Sequence, residues 1–316
     1  MSCSVLYVYE GFKNPGDSFS YCGARHYIHQ TIPVVAEQGV NLRSTRDLLS
    51  RLEFSGPDLL VFAGAPWFWE GCSRSVKYAG AHAMLQMHKD VRKLAVGVGS
   101  CFLAGHSKER IEAITKEEAA NLRQFWGQFD TIIVRDVVAW WMLAMVGVES
   151  ILAPCPSVAV GEWFGRMQGG SGTVILSENL EKNFMYAYLS EADRAFYQER
   201  VARLLGAGAS EMPWIAKDRS TLASRSLQSM CREIASKGAS TFFTARVHAA
   251  LVAMGMGLRG ELMALDSRAL SARLFGAELV GRQAEAFCRL SEDLERSAPS
   301  AEVVGDAIRS ALEGLR

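Results

Sequence analysis

Apolar runs of strand length recur along the chain and alternate with longer stretches of helical period. Residues 4–9 (SVLYVY), 58–63 (DLLVFA), 93–98 (KLAVGV) and 130–134 (DTIIV) are nearly continuous in apolar side chains. Such runs fit strands covered on both faces. Helical patterns follow them, from about Tyr21 to Glu37, across 74–89, and through "VVAWWMLAMVGV" after the fourth strand. This βαβα alternation predicts a parallel sheet with helices on both sides. The pattern breaks at "GEWFGRMQGGSGT", residues 161–173, where glycines stand at 165, 169, 170 and 172. That composition reads as a linker or hinge. The alternation then restarts with "TVILS", a helix over 190–205, "EMPWIA" as a short strand, and a helix over 220–237. "STFFTA", the helix in "ARVHAALVAMG", "GELMALD" and two terminal helices follow, the last with Ser300 as its expected N-cap. The expected fold is α/β: two Rossmann-like domains, 1–160 and 173–316, joined by the linker 161–172 and facing a central cleft.

A length of 316 residues fits two domains, and 49% hydrophobic residues supply two cores. Lys+Arg and Asp+Glu both number 34. Zero net charge argues against affinity for nucleic acid through a global basic field. The 7 cysteines form no CxxC pair, which speaks against a disulfide framework or a zinc ribbon and for a reducing, cytoplasmic setting. The N-terminal segment lacks the basic start and apolar core of a signal peptide. No apolar run is long enough for a transmembrane helix, so any membrane contact would be peripheral. Oligomeric state is left open.

Open α/β sheets bind ligands beyond the carboxyl ends of their strands. At those places the sequence has "NPGD" (Asn14–Asp17), "AGAPWFWEG" with Trp67, Trp69 and Glu70, "GVGS" with Gly99 and Ser100, "RD" (Arg135, Asp136) and "ARVH" (Arg246, His248). Arg246 and His248 stand two apart and project to one face of an extended backbone. The following helix N-terminus adds N–H groups, so together they suit an anion beside a titratable group. An isolated Arg-x-His serves as well for a local carbonyl and an ion pair. Asp17 suits either a helix cap or a cleft-facing carboxylate. The tryptophans suit either packing or stacking on a sugar ring, and a lone GxG is weak ground for a phosphate cradle. His26, His29, His82, His88 and His106 have no metal-ligand spacing, and no metal is expected.

In order along the chain, these segments resemble the polysaccharide pyruvyl transferase family. "NPGD", "DLLVFAGAP", "AVGVGS", "TIIVRDVVAWWMLAMVGV", "TARVHAALVAMGMG" and "LMALDSRALSARLFG" are similar to its successive motifs. The chain departs from them with "AGAP" in place of a triple glycine and with Val247 inside the Arg-x-His. It departs again with Arg268 where the family has lysine, and with Cys155-Pro156 where it has Asp-Pro. The resemblance implies a glycosyltransferase-B-like fold. It also implies transfer of the enolpyruvyl carbons of phosphoenolpyruvate to sugar hydroxyls, giving a pyruvate ketal in polysaccharide biosynthesis. Phosphoenolpyruvate is then the donor substrate, with no other cofactor. Arg135, Arg246, Arg268, Gly99 and Ser100 are expected to hold it, and His248 with Arg246 to act in catalysis. Asn14, Asp17, Trp67, Trp69 and Glu70 are expected to face a sugar or glycan acceptor. Two other readings share the architecture. One is a nucleotide-sugar-dependent glycosyltransferase, with Glu261 or Asp266 at the ribose. The other is a non-catalytic sugar-binding protein using Trp67, Trp69 and the helix at 139–141.

Overall fold

The computed structural model describes residues 3–10, 15–42, 56–103, 105–167, 169–177, 189–214 and 227–313. Its first half is a 7-stranded sheet of β1 (Cys3–Tyr9), β2 (Val34–Asn41), β3 (Leu59–Ala63), β4 (Pro66–Phe68), β5 (Arg92–Ser100), β6 (Thr131–Val134) and β7 (Ile151–Leu152). The order is β2-β1-β3-β5-β6-β7, with β4 against the end of β5. Every pair is parallel, with Val5 opposite Leu59 and Leu60 opposite Lys93. Val5, Leu60, Val61, Ala95 and Ile133 are fully buried, as a sheet covered on both faces requires. The second half is a 5-stranded parallel sheet, β12-β11-β10-β8-β9. Its strands are β8 (Gly172–Ser177), β9 (Ser210–Pro213), β10 (Ala239–Thr244), β11 (Arg259–Met263) and β12 (Glu278–Val280).

Helices α1 (Pro15–Thr31), α2 (Val76–Met87), α3 (Lys108–Trp126) and α4 (Val137–Met145) belong to the first half. Three start on side-chain caps that accept an orphan N–H: Ser75 from Tyr78, Ser107 from Arg110, and Asp136 from Ala139. The chain crosses over through the short α5 (Val160–Trp163). Then come α6 (Glu191–Gly206), α7 (Leu227–Ser236), α8 (Val247–Gly255), α9 (Ala269–Leu274), α10 (Ala284–Glu295) and α11 (Val304–Glu313). The last two return to the first sheet, α10 against α4 and α11 against α1. Among the described residues no helix is long and apolar enough to cross a membrane.

Two expectations about elements are corrected. The helix expected to run to Glu37 ends at Thr31, and β2 occupies Val34–Asn41. Pro33 disfavours the helical region for Ile32, which ends the helix and extends the chain. The final helix begins at Val304, so Ser300 lies outside it; Glu302 N instead donates to the Leu152 carbonyl at 2.8 Å.

The two sheets meet end to end. In the first, the connections reverse direction between β1 and β3; in the second, between β8 and β10. Such switch points open a crevice at the strand ends. Close contacts among the described residues join the two crevices. A Cβ on Gly16 of α1 would lie 2.3 Å from His248 Nδ1 on α8, so only glycine permits that approach. A Cβ on Gly161 would meet the Gly255 carbonyl at 2.0 Å, which presses the crossover onto α8. Beyond β5, Ser267 N donates to the Phe102 carbonyl at 2.8 Å, and Phe102 N donates to Ser267 Oγ at 2.8 Å.

Candidate functional site

The centre of the junction is a contact between Arg135, at the end of β6, and His248, in the first turn of α8. Arg135 Nη1 donates to His248 Nε2 at 3.0 Å. Arg135 is 0% exposed and His248 8%. Arg135 Nε and Nη2 are buried and have no hydrogen-bond partner among the described residues. Buried guanidinium donors are costly to leave unmet, which suits an anion site. Ser20 Oγ of α1 lies 3.3 Å from the same imidazole nitrogen and 3.2 Å from Cys155 Sγ.

Arg246 and Arg268 complete the cationic wall. Burial pushes His248 well below the usual imidazole range, and Arg135, Arg268 and Arg246 push the same way. Its ring is therefore neutral, and it does not carry the near-neutral titration that acid–base cycling would need in the unliganded protein. Burial and then Arg268 lower the proton affinity of Arg246, against the pull of Asp266 and Asp17. Arg268 forks onto Asp266, Nε to Oδ1 at 2.7 Å and Nη2 to Oδ2 at 2.6 Å. Burial opposes its charge, but Asp266 more than restores it. Between Trp214, Arg246, His248, Asp266 and Arg268 lies a cavity of about 20 Å³, large enough for a water.

Asp17 is 2% exposed in the first turn of α1, and its charge acts on Lys77, Arg246 and Arg268. It therefore belongs to the junction. Asn14 lies outside the described residues. Asp136 is fully buried and holds two backbone N–H groups, Ser100 at 2.8 Å and Ala139 at 2.9 Å. Burial raises its proton affinity, while those two bonds and Arg135 oppose the rise.

Several expected roles are corrected. Gly99 and Ser100 do not form a phosphate cradle. The space at Gly99 is taken by Arg135 Nε and Asp136 Oδ2, each 2.5 Å from where a Cβ would stand. Ser100 N is committed to Asp136, and its hydroxyl pairs with Ser267 Oγ at 2.6 Å. Trp67 is 2% exposed and is a core residue. Its ring packs among Phe62, Tyr78, Phe125 and Trp126, and its indole N–H donates to the Gly64 carbonyl at 3.1 Å. Glu70 sits on the surface, paired with Arg110 and, at 3.5 Å, with His106. Trp69 is partly buried beside Tyr78. Glu261 is bound by Arg200, with Nε to Oε2 at 2.9 Å. Both residues line a separate groove of about 620 Å³ at the amino ends of the second sheet's strands, away from the junction.

The site also contains residues that strand-end motifs alone do not reveal. Glu10 directly follows β1 and is 8% exposed. Its carboxylate lies 3.3 Å from Lys77 Nζ of α2. Applying the strand-end rule to the first residue after β1 would have found Glu10. Lys77 sits on a helix, where that rule does not look.

No family model matches the chain, and no curated protein matches it. Its backbone is similar to that of the S. aureus MnaA–UDP complex, with a TM-score of 0.57 at 10% identity over 99% of this chain and 96% of that one. It is also similar to the Methanocaldococcus jannaschii UDP-GlcNAc 2-epimerase in complex with UDP-GlcNAc and UDP. There the TM-score is 0.50 at 12% identity over 100% of this chain and 99% of that one. The fold is thus two Rossmann-like halves in the glycosyltransferase-B-like arrangement. These similarities overturn the expected kinship with pyruvyl transferases, and they lend no support to phosphoenolpyruvate as donor.

Proposed function

We propose that the chain is a nucleotide-sugar-dependent enzyme that breaks the bond between a sugar carbon and a nucleoside diphosphate. The observation that carries this reading is the Arg135–His248 contact at the junction of two switch points, flanked by Arg246 and Arg268. The fold it shares with a protein solved with UDP supports the choice of ligand class. In this reading Arg246 and Arg135 hold the diphosphate and stabilise the charge that grows on it as the bond breaks. Arg268, fixed by Asp266, adds field without needing to move.

His248 is the proton acceptor. Arg135 can only donate, so Nε2 is unprotonated and Nδ1 carries the proton. A diphosphate bound by Arg135 draws the guanidinium away from Nε2 and offsets the positive field. Both changes strengthen the imidazole as a base while substrate is present. The division into domains near 161–172 is proposed with this reading, with α11 grouped with the first sheet because it packs on α1.

The test is thermal unfolding with UDP, UDP-GlcNAc, UDP-glucose and phosphoenolpyruvate, followed by NMR of each sugar nucleotide incubated with the protein. A ligand at 100 times its dissociation constant adds about 2.7 kcal/mol. Stabilisation by UDP compounds, with UDP release or a changed sugar carbon, is the expected result. Stabilisation by no nucleotide overturns the reading.

A further inference from the structure

Lys77 enters the strand-end face of the first sheet from α2. Its ammonium has three N–H donors. Glu10 faces it at 3.3 Å, with both side chains 11% exposed, and the Pro66 carbonyl accepts a second bond. The Trp67 ring centroid lies 4.0 Å from Nζ, and the Trp69 centroid 5.5 Å. The charges of Asp17 from α1 and Arg135 from the end of β6 act on it, so it shares an electrostatic environment with the Arg135–His248 contact.

An ammonium buried this way is costly. An apolar side chain would fill the same space between two tryptophans, and exchanging a buried ion pair for apolar groups is often neutral or stabilising. Packing alone therefore gives no reason for a lysine here. A sugar supplies one. Neighbouring hydroxyls each donate and accept, so an ammonium and a carboxylate side by side satisfy both, and an aromatic ring covers the C–H face.

We propose that Lys77, together with Glu10 and Trp69, forms the subsite for the sugar hydroxyls of the substrate, on the first sheet's side of the Arg135–His248 contact. This rests on the nucleotide-sugar reading. It divides the substrate between the arginine cluster, which takes the diphosphate, and Lys77 with Glu10, which take the sugar.

Charge on Lys77 is pH-sensitive. Burial pushes it down to about 8, against Glu10 and Asp17 and with Arg135. The groups facing it are Glu10 from β1, Asp17 from α1, Arg135 from β6 and the two tryptophan rings. The ammonium is present below that pH and lost above it.

The test is isothermal titration of the full chain with UDP and with UDP-GlcNAc and UDP-glucose, at pH 7 and pH 9, for wild type, Lys77→Met, Lys77→Arg and Glu10→Gln. At pH 7, Lys77→Met is expected to weaken the better sugar nucleotide by about 10- to 100-fold. UDP affinity should stay within about 2-fold, which also shows that the variant is folded. The wild-type preference for sugar nucleotide over UDP should shrink at pH 9, while Lys77→Arg, always charged, keeps its own. If Lys77→Met does not fold, the pH dependence of wild type against Lys77→Arg decides, with Glu10→Gln weakening the preference as support. An equal loss for UDP and sugar nucleotide, or no loss for either, overturns the subsite and leaves the nucleotide-sugar reading standing. Failure of wild type to bind any of the three overturns both.

Discussion

Arg135 and His248 are 113 residues apart in sequence and 3.0 Å apart in space, and each comes from a different sheet. Burial first and the Arg135 charge second hold the imidazole neutral, and the bond fixes its tautomer, since the guanidinium has no lone pair to offer. The unfolded chain has no such neighbour, so its imidazole takes up a proton near the ordinary value of 6.5 while the folded one resists. Below that pH the unfolded state binds the additional proton, so stability falls by about 1.4 kcal/mol per pH unit until folded His248 also protonates. Urea unfolding of wild type and His248→Gln between pH 7 and pH 5 checks this. The difference between their slopes should have this sign and size, and Arg135→Gln should reduce it.

Gly16→Ala tests the junction sterically. The new Cβ would stand 2.3 Å from His248 Nδ1 and 2.5 Å from its Cγ. Alanine favours helix by roughly 1 kcal/mol over glycine, so α1 itself should not suffer. The clash instead pushes α1 and α8 apart, at about 1–3 kcal/mol. Thermal unfolding should show a net loss, and stabilisation by UDP should fall more than in a Gly172→Ala control, whose Cβ would meet nothing within 4 Å.

Asp136→Asn keeps the shape and reverses one polarity. Oδ2 accepts from Ser100 N and Oδ1 from Ala139 N. An amide can accept only one of these, and its NH₂ would face the other N–H. The expected loss is about 1–3 kcal/mol, the cost of an unsatisfied buried donor. Urea unfolding measures it, and Asp193→Asn, whose carboxylate lies outside the junction, provides the comparison.

Trp67 and Trp69 should separate cleanly. Trp67→Ala opens a core cavity and should cost about 3–5 kcal/mol. Trp67→Phe, retaining most of the packing, should leave sugar-nucleotide affinity close to wild type. Trp69→Ala should cost less stability and more affinity for sugar nucleotides relative to UDP. Paired unfolding and titration experiments read both quantities.

Much of this is legible from the chain. β1, β3, β5 and β6 announce themselves as continuous apolar runs because helices cover both faces. β2 does not, because it is an edge strand pairing only with β1, with Val35 68% exposed. β4, β7 and β12 have too few residues to show a period. Arg135, Arg246 and His248 stand out as the polar residues next after a strand end. Ser100 escapes such a reading because the partner of a backbone N–H, here a carboxylate 36 residues away, is not written in the local sequence. Trp67 escapes it because β4 runs on beside the end of β5, parallel to it, and carries the ring inward. The fold similarity is legible as an architecture, whereas the short motifs point to a family that the comparisons do not support.

The return of α11 to α1 orders events during synthesis. Tyr27 of α1 lies against Gly305, where a Cβ would be 2.9 Å from the ring, and Val304, Ile308 and Leu312 are buried. The first sheet is translated first, yet among the described residues one flank of α1 is covered by residues near 304–312. A ribosome carrying the first half therefore holds a domain with an uncovered apolar seam, open to aggregation or to chaperones until residues 304–312 emerge. The half made earlier is completed only after the half that carries His248 has been made, which ties the maturation of one to the other.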